Sequence, residues 1–225
     1  MKIIPVLDLK NGVVVHAKHG LRDSYQAINS ALCADPDIYK VLAAFLSLYP
    51  FDTFYIADLN AITLQGHHDD LIAAVVSAYP KIQFWVDKGY QKVTQYPSNY
   101  LPVLGSECFT DTNIAELKEF NQRFILSLDY SQTGALGASS ILNKPELWPE
   151  TVIVMTLNRV GSQLGPDVDK LQTFCTQYPH KQFVAAGGIR HLEDLKAVQK
   201  LGIQHALIAS ALHSGAINQA DITNL

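Results

Sequence analysis

Eight short and almost unbroken apolar runs recur along the chain, at 3 to 7, 53 to 57, 82 to 86, 101 to 104, 123 to 128, 151 to 155, 182 to 186 and 205 to 209. Strands this continuously apolar must be buried on both faces, as parallel strands under helices are and half-solvated sheets are not. Amphipathic segments at 35 to 49, 68 to 79, 111 to 121, 166 to 178 and 191 to 201 lie between them, some opening with the Asp, Pro or Thr that start helices. The pattern is a βα repeat. Eight such units predict one closed (β/α)8 barrel over residues 1–225, with an open doubly wound sheet as the rival.

Closure is favoured by the residues just beyond the strands. Polar residues gather at their C-terminal ends, in DLK (8–10), ADLN (57–60), VDKG (86–89), GSE (105–107), LDY (128–130), TLN (156–158), AGG (186–188) and ASA (209–211). A barrel brings all of these to one rim, where its active site forms. The halves also echo each other: Ala57-Asp58-Leu59-Asn60 resembles Met155-Thr156-Leu157-Asn158, and 86–89 takes the place that 185–188 takes later. Such offsets are the mark of a half-barrel repeat. With 48% hydrophobic and 17% charged residues and no low-complexity linker, the 225 residues suit one core.

The net charge is -4 and the basic residues are scattered singly, which leaves neither a nucleic-acid stripe nor a polybasic membrane signal. A small molecule is the expected partner, and an oligomer stays open. Cys33, Cys108 and Cys175 are far apart and in no ligand spacing, which fits a reducing cytoplasm. No run approaches the roughly 20 apolar residues of a membrane span. Neither a cofactor nor a metal is called for: His67-His68-Asp69-Asp70 is the nearest ligand cluster, and adjacent side chains diverge, so it reads as a polar loop opening a helix.

Two kinds of chemistry are legible on the rim. Gly187 and Gly188 end a strand and lead into a helix, so their backbone N–H groups can converge on an anion; Ala209 and Ser210 follow the next strand, and in barrels these two loops often share one phosphate. A tight strand-to-helix turn would ask for the same glycines. Asp8 and Asp129 end the first and fifth strands, opposite one another in an eight-stranded barrel, and suit general acid and base work on two sides of a substrate. Asp58 has the same strand-end position and could equally fix a loop.

Taken in order, IIPVLDLKNGVVVHAKHG, YIADLNAI, LPVLGSE, ILSLDY, RVGSQLGPD, FVAAGGIRHLEDL and ALIASALHSG resemble the histidine-biosynthesis barrels: the phosphoribosylformimino aminoimidazole carboxamide ribotide isomerase and the cyclase subunit of imidazole glycerol phosphate synthase. The resemblance covers nearly the whole chain. It implies a phosphate-binding barrel in which Asp8 is the principal catalytic carboxylate of an aminoaldose-to-aminoketose rearrangement, with Asp129 as a second carboxylate. It also exposes departures. The second catalytic Asp of the strand-six loop corresponds to Val160, and the Gly-rich phosphate turn after strand three is replaced by Val86-Asp87-Lys88-Gly89-Tyr90. The strand-eight Gly is Ala209, and His16 stands for the Arg of the first loop. The chain looks closer to isomerase-related proteins of methanogens and methylotrophs, which suggests an association with one-carbon cofactor synthesis such as the methanofuran or methanopterin pathway.

The rim therefore offers Lys10, His16, Asp58, Asp87, Lys88, Ser106, Asn158, Arg159 and Ser162 for substrate, and Gly161, Gly187, Gly188, Ala209 and Ser210 for phosphate. Of Asp87 and Lys88 only one can face inward, because adjacent strand residues point oppositely, and Asp87 is the expected one. Arg159 and Ser162 are placed to clamp an anion. Arg190 is expected to cap or pair at the surface. Two functions remain: an isomerase-like or lyase-like enzyme of altered specificity, or a non-catalytic phosphometabolite binder or partner subunit.

Overall fold

The computed structural model describes residues 1–225. Eight parallel strands, β1 (Lys2–Lys10), β2 (Thr53–Asp58), β3 (Gln83–Asp87), β4 (Tyr100–Gly105), β5 (Ile125–Ser131), β6 (Thr151–Thr156), β7 (Gln182–Ala186) and β8 (His205–Ile208), pair in sequence order. β8 returns to β1, with Ile4 beside Leu207, so the sheet closes into a (β/α)8 barrel. All six residues of β2 are buried, as a strand between barrel lumen and helices must be. The segments that echo each other in sequence end strands four apart, β2 with β6 and β3 with β7.

The period-two alternation sorts the apolar residues into two cores. Ile4, Tyr55, Trp85, Val103, Ile125, Ile153, Val184 and Leu207 fill the lumen. The alternate residues, among them Leu7, Phe54, Ile56, Phe84, Leu126 and Val152, pack outward against the helices. Helix α1 (Ile38–Leu48) starts where Asp37 accepts from the N–H groups of Tyr39 and Lys40, and it buries Ile38, Val41, Leu42 and Phe45. Helices α2 (Asp69–Ala78), α3 (Val168–Gln177) and α4 (Leu192–Lys200) fall where amphipathic segments are expected, and His68 is the N-cap of α2. The 111–121 segment forms a 3-10 helix, Ile114–Phe120, and stops where Asn121 turns left-handed. No helix is long and apolar enough to cross a membrane.

An antiparallel ribbon extends β1 above the mouth. Asn11 and Gly12, with φ of 51° and 82°, join β1 to Val13–His16, which pairs in turn with Gln26–Ala27. Asn-Gly with two positive φ angles is the two-residue hairpin turn, a signal the apolar-run pattern passes over. The ribbon delivers residues 17–25 to the top of the barrel.

Candidate active site

The strand ends enclose a cavity of about 490 Å³. Parity decides who reaches it. Asp8 follows Ile4 and Val6 on the inward side of β1, Asp87 follows Trp85 on β3, and Asp129 follows Ile125 on β5. Asp8 and Asp87 flank Ala57 in one row across β1, β2 and β3, and the small Ala57 leaves room between them. Asp129 is accommodated by Gly105, where a Cβ would come within 2.9 Å of its Oδ2.

The three carboxylates differ in their partners. Asp129 accepts from the Ser127 hydroxyl at 2.7 Å and from Glu107 N at 3.2 Å, while Ser106 Oγ accepts from Asp129 N at 2.9 Å. Asp87 accepts from the Tyr55 hydroxyl and from Gly89 N, both at 2.9 Å. Asp8 carries no side-chain hydrogen bond within the chain and faces the cavity. Burial pushes Asp8 up to about 7, with Arg22 pulling down and Asp87 pushing up. Burial, then Glu107, pushes Asp129 up to about 7, and burial pushes Asp87 up to about 6. Carboxyls in this range can take and return a proton near neutrality.

Arg22 is a rim residue that the strand pattern does not reveal. It reaches the mouth from the loop between the two ribbon strands and forks onto Glu107, with Nη1 3.4 Å from Oε2. Burial opposes its charge, but Glu107, Asp87 and Asp129 hold the guanidinium firmly protonated. Tyr25, Tyr55 and Glu107 also line the cavity, three further residues that the sequence reasoning missed. Glu107 lies inside the GSE rim segment, and Tyr55 shares the inward parity of Ala57.

Across the mouth, the ends of β6, β7 and β8 place Gly161, Ser162, Gly187, Gly188, Ala209 and Ser210 along the wall. The N–H groups of Gly188 and Ile189 donate to nothing else in the chain and are available to an anion. Both glycines are also required sterically. Gly187 and Gly188 have φ of 93° and 89°, and a Cβ would lie 2.6 Å from Thr156 O and 2.2 Å from Gly165 O, respectively. The tight turn thus requires both glycines and leaves these N–H groups unpaired. Ser210 Oγ lies 3.1 Å from His16 Nε2, and burial, then Lys18, lowers the imidazole below its usual range. The wall also carries Val160, which has no carboxylate to offer.

Six expected substrate contacts do not line the cavity. Asp58 alternates outward from Ala57, is fully buried, and accepts from His68 N at 2.7 Å, His68 Nδ1 at 2.8 Å and Ala61 N at 3.2 Å. Lys88 likewise turns away from Asp87 and pairs with Asp69. Lys10 Nζ donates to the carbonyl of Arg22 at 2.8 Å and so fastens the Arg22 loop. Arg159 Nη1 donates to the carbonyls of Leu164, Gly165 and Pro166, which a peptide turn presents ready-made. Asn158 sits within a 3-10 turn, Leu157–Arg159, off the cavity. Ser106 is buried beneath Asp129 and holds it in place. Arg190 pairs as expected, forking onto Asp194 at 2.8 and 2.9 Å.

The barrel carries carboxylates on opposed strands and free backbone N–H groups at the end of β7. The profile described as histidine biosynthesis protein matches residues 2–218. The chain belongs to that family. An uncharacterized protein of the methanogen Methanocaldococcus jannaschii is 28% identical over 230 residues, spanning 100% of this chain and 98% of its own. The 1-(5-phosphoribosyl)-5-((5-phosphoribosylamino)methylideneamino) imidazole-4-carboxamide isomerase of Streptococcus sanguinis is 24% identical over 243 residues, covering 99% and 97% of the two chains. Its counterpart in Listeria welshimeri is 22% identical over 255 residues, covering 100% and 98%.

Proposed function

We propose that this protein is an isomerase-like enzyme of altered specificity, which moves a proton on a phosphorylated small molecule. Asp8 acts as general base and acid, Asp129 serves as the opposed carboxylate, and the phosphate rests on Gly188, Ile189 and Ser210. The observation that carries this reading is Asp8 itself: a cavity-facing carboxyl near pKa 7 with no hydrogen bond inside the chain, so that its proton exchange is reserved for a ligand. A structural carboxylate would be engaged as Asp58 is.

The substrate in the relatives' names carries two phosphoribosyl groups on one imidazole carboxamide and is isomerised. Two features argue against that reaction here. Val160 removes an acid from the β6 loop, and at the end of β3 the Gly89 N–H that a second phosphate would need is given to Asp87 Oδ1. A role in one-carbon cofactor synthesis, in the cytoplasm, is compatible with the methanogen relative. Val160 also favours the second reading, a binder that kept the phosphate wall and lost the chemistry.

Complementation of a strain lacking the histidine isomerase tests the altered specificity: no growth is expected, and robust growth would overturn it. Asp8→Asn separates enzyme from binder. Turnover should vanish while phosphate still binds, and turnover equal to wild type would remove Asp8 from the mechanism.

A further inference from the structure

The two walls of the cavity carry opposite chemistry. On the wall from β6 to β8 the anion finds backbone N–H groups and the Ser210 hydroxyl, while Arg190 is committed to Asp194 and Arg159 to peptide carbonyls. The facing wall holds Asp87, Glu107 and Asp129, with Asp8 beside them. Arg22 is the cation among these four, and its fork is spent on Glu107. Asp8, Asp87 and Asp129 therefore look into the cavity with no ion-pair partner of their own, since Lys88 is turned to Asp69 and Lys10 to the Arg22 carbonyl.

A second phosphate is repelled from this wall. Like charges within a few ångströms in a partly desolvated cavity repel strongly. The backbone offers no compensation, because Gly89 N donates to Asp87 and Glu107 N to Asp129. A cation is favoured there for the same reason, and a protonated amine can also donate to carboxylate oxygens that the chain leaves open.

Resting on the proposed function, we propose that the substrate is a phosphomonoester with a positively charged nitrogen at the end away from its phosphate, the phosphate lying at Gly188 and Ile189 and the nitrogen between Asp87 and Asp129 beside Asp8. The acidic wall selects for the amine, and Arg22 keeps Glu107 from overcharging it. The rival is a bisphosphate that draws Arg22 away from Glu107.

Calorimetric titration of the whole protein at about pH 8 decides between them, using inorganic phosphate, ω-aminoalkyl phosphates, ω-hydroxyalkyl phosphates and alkane bisphosphates of matched chain length. The best aminoalkyl phosphate should bind about tenfold or more tightly than its hydroxyl analogue, about 1.4 kcal/mol. Asp87→Asn should shrink that preference to roughly threefold or less, and if this variant fails to fold, the wild-type series alone is decisive. Equal binding of amine and hydroxyl esters, or tightest binding of a bisphosphate, overturns the inference and leaves the proposed function standing. Failure of inorganic phosphate and every ester to bind overturns both.

Discussion

Replacing Asp129 with asparagine should change stability in a way that depends on pH with a defined sign. The side chain is 5% exposed, and its carboxyl is raised from the ordinary 3.8 to about 7. Between these values the unfolded chain has released the proton while the native protein still holds it, so native stability falls as pH rises and the loss is complete above about 7. At about 1.4 kcal/mol per pH unit, the raised carboxyl costs roughly 1 to 2 kcal/mol at about pH 5, where the native group keeps a proton that the unfolded chain has lost, and roughly 4 kcal/mol at about pH 8.5. Asparagine cannot ionise, so it escapes this cost. It also disturbs the bonds from Ser127 and Glu107, but that disturbance is the same at both pH values. Relative to wild type, Asp129→Asn should therefore gain about 3 kcal/mol between about pH 5 and about pH 8.5. Urea unfolding of both proteins at the two pH values measures it. A difference between variant and wild type that is flat with pH, or that worsens in alkali, would refute the reasoning.

Other perturbations separate scaffold from site. Asp58→Ala removes a fully buried carboxylate, strands the partly buried N–H groups of His68 and Ala61 and should cost about 2 to 3 kcal/mol, whereas Lys88→Ala breaks a solvent-accessible ion pair and should cost less than about 1 kcal/mol; urea midpoints compare the two. Gly188→Ala drives a Cβ against the Gly165 carbonyl at a φ of 89° and should destabilise by about 2 to 4 kcal/mol, with phosphate affinity lost in titration. Arg22→Gln removes the charge that holds Asp8 down, so the Asp8 carboxyl should titrate at higher pH by carbon-13 NMR; an unchanged midpoint would mean that burial alone sets it.

The strands were legible because each is an apolar run long enough for one barrel stave, and the half-repeat placed their ends in register. What the sequence hid was orientation. In FYIAD every residue before the aspartate is apolar, so nothing in the run distinguishes Tyr55 and Ala57, which face the lumen, from Asp58, which faces the helices; at Val86-Asp87-Lys88 the alternation rule sufficed because one of two polar neighbours had to turn away. Arg22 was illegible for another reason. Its place depends on the Asn11-Gly12 hairpin and on Lys10 gripping the loop, which are contacts distant from the strand pattern. Arg159 misled because its target is backbone carbonyl, and carbonyls leave no trace in side-chain identity.

The consecutive pairs Ala57-Asp58 and Asp87-Lys88 have an evolutionary consequence. At each strand end one position faces the cavity and the next fastens a neighbouring segment. Insertion or deletion of a single residue before them would exchange the two duties at once, sending the loop anchor into the lumen and the cavity group toward a helix. Descent in such a barrel can proceed by replacing residues at these ends, while changes of length are confined to the stretches beyond Gly66 and Gly89, where no strand register is at stake.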